Sequence, residues 1–190
     1  MASCVLVYLA GKISKNGWRE IIVPNIRNVA NNAEDVFLAE PTTTIIERLY
    51  CVGPYFIGCD HGCYHGEKMH GVAANSKTIC EGIGIEAPIV PGLCKRQIDS
   101  SNFVFAFIDD PTCYGTLCEI GYAVGRKIPV AVLFANQKLM DDMWFVGEIA
   151  DIEMVISEGT TMMWKSNTDD PDISMMANRI AYNLAERMSK

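Results

Sequence analysis

At 190 residues the chain is long enough to bury a sizeable core as one domain. Hydrophobic residues make up 49% and charged residues 21%, a balance that excludes disordered and fibrous proteins. The formal net charge of -7 excludes the broad basic surface on which binding of polymeric nucleic acid depends, although a local loop can still hold a small anion.

The chain opens with "MASCVLVYLAGK", which has a short apolar run but no basic leader. Residues 4–10 therefore read as a first strand rather than a signal peptide, and their near-continuous apolar character suits a parallel strand covered on both faces. Residues 17–33 are helical in pattern, interrupted by Pro24. A second strand, "LYCVGPYFI" at 49–57, runs into a Gly-Pro turn. The Gly-rich stretch 58–86 follows, with few periodic signals, and a loop of that length in a compact domain is functional or mobile. Next come a helix at 88–101, a strand at 103–108, a helix at 115–126 and a strand at 128–134. Residues 136–151 suggest one further helix and 152–157 a last strand. At the end, Ile173, Met176, Ile180 and Leu184 recur at helical spacing behind the acidic start "DDPD". No stretch reaches the roughly 18 apolar residues of a membrane span. With no export signal, the eight cysteines read as reduced thiols of a cytoplasmic protein.

Strands alternating with helices predict parallel βαβ units, hence a three-layer α/β domain over 1–190 with a parallel sheet of about five strands. Ligands gather at the carboxyl ends of such strands, so loops 11–17, 53–70 and 109–116 matter most.

Glu119 has two readings. In one, Thr116 is an N-cap and Glu119 completes a capping box. In the other, Leu117, Ile120 and Val124 pack on the sheet, and Glu119 stands off that stripe near the helix start, as an anionic nucleophile. Asp109 and Asp110, at the end of the preceding strand, can bind sugar or base, or simply form an Asp-Asp-Pro turn. In "AGKISKNGWR", Gly11 permits close backbone approach and Tyr8 reaches a ligand from the strand end. Lys12, Ser14 and Arg19 either hold a phosphate or form a solvated basic turn. All three histidines, His61, His65 and His70, lie in "CDHGCYHGEKMHG". Cys59, His61, Cys63 and His65 are soft ligand types, but the usual Cys-x2-Cys spacing is absent, so a lid whose histidines donate hydrogen bonds or move protons is expected rather than a metal site.

"FVFAFIDDPTCYGTLCEIGYAVGRKIPVAVLF" resembles the core of the nucleoside 2-deoxyribosyltransferase family: a strand, a Gly-Thr pair (Gly115-Thr116), Glu-hydrophobic-Gly-Tyr-Ala, and a following strand. "VYLAGKISKNGWRE" and "VGPYFIGCDHGCYHG" resemble that family's first strand and second-strand loop, in the same order. The resemblance implies a flavodoxin-like domain that cleaves N-glycosidic bonds of deoxynucleosides or their monophosphates, with Glu119 as the nucleophile forming a glycosyl-enzyme ester. It implies no metal or organic cofactor, and a substrate site drawn from Tyr8, Gly11, Lys12, Ser14, Asp110, Gly115, Thr116, His61 and His65. It also implies a homo-oligomer, to which Trp144 and Phe145 would contribute. Cys94 and Cys113 stand where many relatives have Asp, leaving Asp109 and Asp110 as the nearest acidic substitutes. A monophosphate N-hydrolase is the alternative if Lys12 and Ser14 bind phosphate, and a non-catalytic nucleotide sensor is a further one. A flavin carrier is disfavoured, because the first loop lacks a dense run of Ser and Thr.

Overall fold

The computed structural model describes residues 4–12, 18–22, 44–46, 48–54 and 90–188. Ser14, His61, His65, His70, the stretch 58–86 and most of the helix expected at 17–33 lie outside the described residues.

In chain order the elements are β1 (Val5–Gly11), α1 (Trp18–Ile22), β2 (Thr44–Ile46), β3 (Leu49–Gly53), α2 (Val90–Asp99), β4 (Phe103–Ile108) and α3 (Tyr114–Gly125). They continue with β5 (Val130–Phe134), α4 (Gln137–Asp142), α5 (Trp144–Ile149), β6 (Ile152–Ser157), β7 (Thr160–Ser166) and α6 (Pro171–Met188). One sheet of seven strands runs in the order β2-β3-β1-β4-β5-β6-β7. The inner five, β3 to β6, are parallel, as the alternating pattern predicted, and β2 and β7 extend the edges antiparallel. Taken alone in chain order, the parallel strands follow the flavodoxin arrangement 2-1-3-4-5.

Every residue of β4 and β5 is buried, because helices cover both faces and both sets of alternating side chains need cover. On one face Val7, Leu9, Phe105 and Leu133 pack under Trp18 and Ile22 of α1 and the apolar stripe of α6. That stripe is Ile173, Met176, Ile180 and Leu184, the four residues whose spacing announced the helix, with Ala177 and Ala181 between them. On the other face Tyr8, Ala10, Val104, Ala106 and Val132 pack under α2, α3, α4 and α5. Among the described residues, no helix is long and apolar enough to cross a membrane.

Two expectations need correction. The single helix at 136–151 is two short ones. Asn136 caps α4 by accepting from the Leu139 amide at 3.0 Å, and Met143 leaves helical geometry (φ -113, ψ 30) before α5 begins. The strand begun at Leu49 runs into its Gly-Pro turn as expected: it ends at Gly53, whose φ of 146 leads into a cis bond to Pro54. β6 is not the last strand, because β7 folds back on it. Most of β7 is exposed on both faces, Met162, Met163 and Trp164 included, so it lacks the alternation that marks a half-buried strand.

Candidate active site at the ends of β1 and β4

β1 and β4 are adjacent and parallel, yet their connections leave for opposite faces, β1 towards α1 and β4 towards α3. In a doubly wound sheet this divergence opens a crevice at the carboxyl ends of the strands. Two side chains meet there. The Tyr8 hydroxyl, on β1, donates to Glu119 Oε1, on α3, at 2.6 Å.

The local sequence explains how α3 delivers Glu119. Beyond β4, Asp110 Oδ1 accepts from the Thr112 amide at 2.7 Å and the Thr112 hydroxyl at 2.6 Å, closing a tight turn. Cys113 is then the N-cap residue, without a side-chain cap, and α3 begins at Tyr114. Of the two readings of Glu119, the capping box is therefore overturned. Thr116 lies inside the helix, buried with Ile120 and Ala123 against the sheet, and Glu119 is a further turn along. Leu117 and Val124 flank that buried stripe, which leaves Glu119 facing α2 rather than an orphan amide.

Glu119 is half-buried, and desolvation raises its pKa, since removing water penalises the charged form. The Tyr8 hydrogen bond, the Arg19 charge and the nearby Cys94 thiol oppose that rise, in that order. Tyr8 is completely buried, so burial first and the neighbouring carboxylate second hold its phenol well above the usual range. Burial and then Glu119 push the Cys94 thiol up to about 12. At neutral pH this gives one carboxyl group beside two neutral acids, of which Tyr8 holds it by a hydrogen bond.

Glu119 opens onto a groove of about 420 Å³ between α2 and α3. Pro91, Cys94 and Ile98 form one wall; Gly115, Cys118 and Tyr122 belong to the other, and Lys95 sits at the rim. A Cβ on Gly115 would meet nothing within 4 Å, so this glycine leaves room in the groove rather than relieving a clash. Tyr122 is held in the wall by its hydroxyl, which donates to Asp99 at 2.9 Å, while Arg126 pairs with the same carboxylate at 2.9 Å. Sequence reasoning did not single out Lys95, Ile98 or Tyr122. The available signal was the spacing of Pro91, Cys94, Lys95 and Ile98, which share one face of a helix.

The other expected site residues are placed differently. Tyr8 cannot touch a ligand from the strand end; it is enclosed and acts on Glu119. Gly11 does not leave its space to a ligand, because a Cβ there would come within 2.7 Å of the Trp18 indole nitrogen. Arg19 does not face a phosphate: it is 4% exposed and donates to the carbonyls of Leu9, Gly11 and Lys12. Lys12 pairs with Asp110 at 2.5 Å, tying the loop after β1 to the loop after β4 and raising the lysine pKa while lowering that of the aspartate. Asp109 is exposed beside this pair and does not line the groove. Cys113 is buried, and burial raises its thiol pKa. Trp144 and Phe145 are both exposed, with rings edge to face at 5.9 Å.

Set beside protein-family models, curated proteins and solved structures, the chain has no significant match.

What this arrangement can do follows from its chemistry. A carboxylate that is half out of water and fixed by a 2.6 Å hydrogen bond has the chemistry of a nucleophile, a general base or an anchor for a hydrogen-bond donor. Among the described residues, no cluster of three or more His, Cys, Asp or Glu side chains has the geometry to hold a metal ion.

Proposed function

We propose that the protein cleaves or transfers at the N-glycosidic bond of a 2′-deoxynucleoside or nucleoside, with Glu119 as nucleophile. The observation that carries this reading is the Tyr8–Glu119 pair, placed where the sheet's connections diverge and opening onto a groove walled largely by carbon and sulfur. The carboxylate attacks C1′, a C–O bond forms as the C1′–N bond breaks, and the electron pair leaves with the base. A second base, or water, then takes the sugar from the ester and returns the carboxylate. The transition state resembles that of a retaining glycosidase, with positive charge growing on the sugar next to an anion. As Glu119 attacks, the Tyr8 hydroxyl steadies Oε1.

Nucleosides suit the site better than nucleotides. The two described cations of the first loop are already engaged, Lys12 by Asp110 and Arg19 by three carbonyl oxygens. The test is to incubate the protein with a panel of deoxynucleosides and their 5′-monophosphates, with and without a second base, and to separate the products. A new nucleoside indicates a transferase, and free base alone a hydrolase. Cleavage restricted to the monophosphates would instead favour the N-hydrolase. Glu119→Ala should abolish every product. Retention of a ligand without product, in the wild-type protein, would leave only the sensor.

A further inference from the structure

Tyr122 and Glu119 line the same groove from α3, three residues or about 4.5 Å apart along the helix axis. Lys95, on α2, reaches across to this wall: its Nζ lies 5.5 Å from the centre of the Tyr122 ring, within range of a cation–π contact. The ring is fixed in turn, because the Tyr122 hydroxyl donates to Asp99 at 2.9 Å. Asp99 follows Lys95 by one helical turn on α2 and is the carboxylate placed to pair with it, but Arg126 has taken that carboxylate. Among the described residues no carboxylate forms an ion pair with Lys95. The groove thus presents one carboxyl group and one unneutralised cation on facing walls, with surroundings that are largely carbon and sulfur.

Cleavage of an N-glycosidic bond separates charge in the same sense. As the C1′–N bond breaks, positive charge grows on the sugar and negative charge on the base. Glu119 answers the first. For the second, the other described donors of the groove are spent or weak: Tyr8 is enclosed and donates to Glu119, the Tyr122 hydroxyl donates to Asp99, and the thiols of Cys94 and Cys118 are poor donors. We propose that Lys95 stabilises the departing base: its ammonium donates to an oxygen or nitrogen on the edge of a base that lies against Tyr122, and answers the negative charge left there. This assignment rests on the proposed N-glycosidic chemistry and narrows its substrates to neutral nucleosides, whose bases depart as anions. The electron pair of the C1′–N bond goes to the base, while Lys95 remains an ammonium. The base takes a proton from water as it leaves the groove; in base exchange, the second base gives its N–H proton to water as it attacks. Lys95 is exposed in the free protein, and a base seated beside it displaces water, which strengthens a charge-assisted hydrogen bond.

The test compares Lys95→Met with the wild type on paired substrates that differ in how much charge the departing base must carry. For purines the pair is 2′-deoxyguanosine or 2′-deoxyadenosine with its N7-methylated cation, whose base departs neutral. For pyrimidines it is 2′-deoxyuridine or 2′-deoxycytidine with its 5-fluoro derivative, whose base is the more acidic. Methionine keeps an unbranched apolar stem against Tyr122 and removes the charge. On the neutral purine nucleoside, kcat/KM should fall about 10- to 100-fold, as expected for loss of a hydrogen bond to a charged group, and on the cation it should hold or rise. In the pyrimidine pair the parent nucleoside should lose more than its 5-fluoro derivative. Lys95→Arg, which keeps the charge, should lose less than Lys95→Met on the neutral nucleoside. Equal losses within the pair that the wild type cleaves, no loss on either member, or an arginine variant no better than methionine overturn the assignment and leave the glycosidic reading standing. A loss confined to 5′-monophosphates does the same, by making Lys95 a phosphate ligand. Should Lys95→Met not fold, Lys95→Gln is read in the same way. If the wild type cleaves no deoxynucleoside, the N-glycosidic reading and this assignment fall together.

Discussion

Replacing Tyr8 with Phe tests the central contact with little change in packing, because the ring stays in its fully buried slot between β1 and its neighbours. The hydroxyl donates to Glu119 at 2.6 Å, a short bond to an ionisable oxygen. Hydrogen bonds to a charged group contribute about 1.5–3 kcal/mol, and a pKa unit corresponds to about 1.4 kcal/mol. Losing the bond should therefore raise the Glu119 pKa by about one to two units, on top of the upward pull of burial. The sign is fixed: the bond favours the carboxylate, so without it the proton is held to higher pH. In a pH profile of kcat/KM, the acid limb of Tyr8→Phe should move up by about that amount, costing roughly ten-fold or more in rate on the acid side. On the alkaline plateau the variant should approach the wild type, since Glu119 is ionised in both. An acid limb that stays in place, with a uniform loss at every pH, would refute the view that Tyr8 sets the charge state of Glu119.

Glu119→Gln should abolish turnover and yet be stabilising at alkaline pH. A carboxyl whose pKa is raised on folding stabilises the fold below its unfolded pKa and loses that contribution as pH rises through the folded value. The Tm difference, variant minus wild type, should therefore grow between pH 4 and pH 8; a difference that shrinks over that range contradicts the assigned shift. Gly11→Ala forces a methyl to within 2.7 Å of the Trp18 indole nitrogen, and the ring is confined by Phe105 and Phe107. A loss of about 1–3 kcal/mol is expected by chemical denaturation, and an unchanged midpoint would show that Trp18 has room to move. Gln97 is 4% exposed and neither of its amide atoms has a partner among the described residues, so Gln97→Met should raise Tm by removing two orphaned polar atoms at similar volume. A lower Tm would show that the amide is bonded in solution.

Much of the fold was legible because it depends on short-range periodicity. "FVFAFI" and "VAVLF" are short apolar runs rich in β-branched and aromatic residues, which read as buried strands, and the spacing of Ile173, Met176, Ile180 and Leu184 fits a helix with one covered face. β7 was not legible, because its exposed Met162, Met163 and Trp164 carry no alternation and only pairing with β6 defines the strand. The break at Met143 was hidden for a similar reason: the residues on either side favour helix, and backbone geometry at one residue decides it.

At the candidate site the division is sharper. Residue type and order alone singled out Glu119 and placed it on a helix after a buried strand, because a carboxylate among packing residues stands out against its surroundings. Which group that carboxylate meets was a matter for the tertiary structure. Tyr8 lies 111 positions away in the chain and joins Glu119 only because β1 and β4 are neighbours in the sheet. The same neighbourhood turned Arg19 from a loop cation into a buried clamp and drew Lys12 onto Asp110. Local sequence dictates how a residue sits in its own element; contact across elements, and with it charge state and burial, arises only when strands distant in the chain lie side by side.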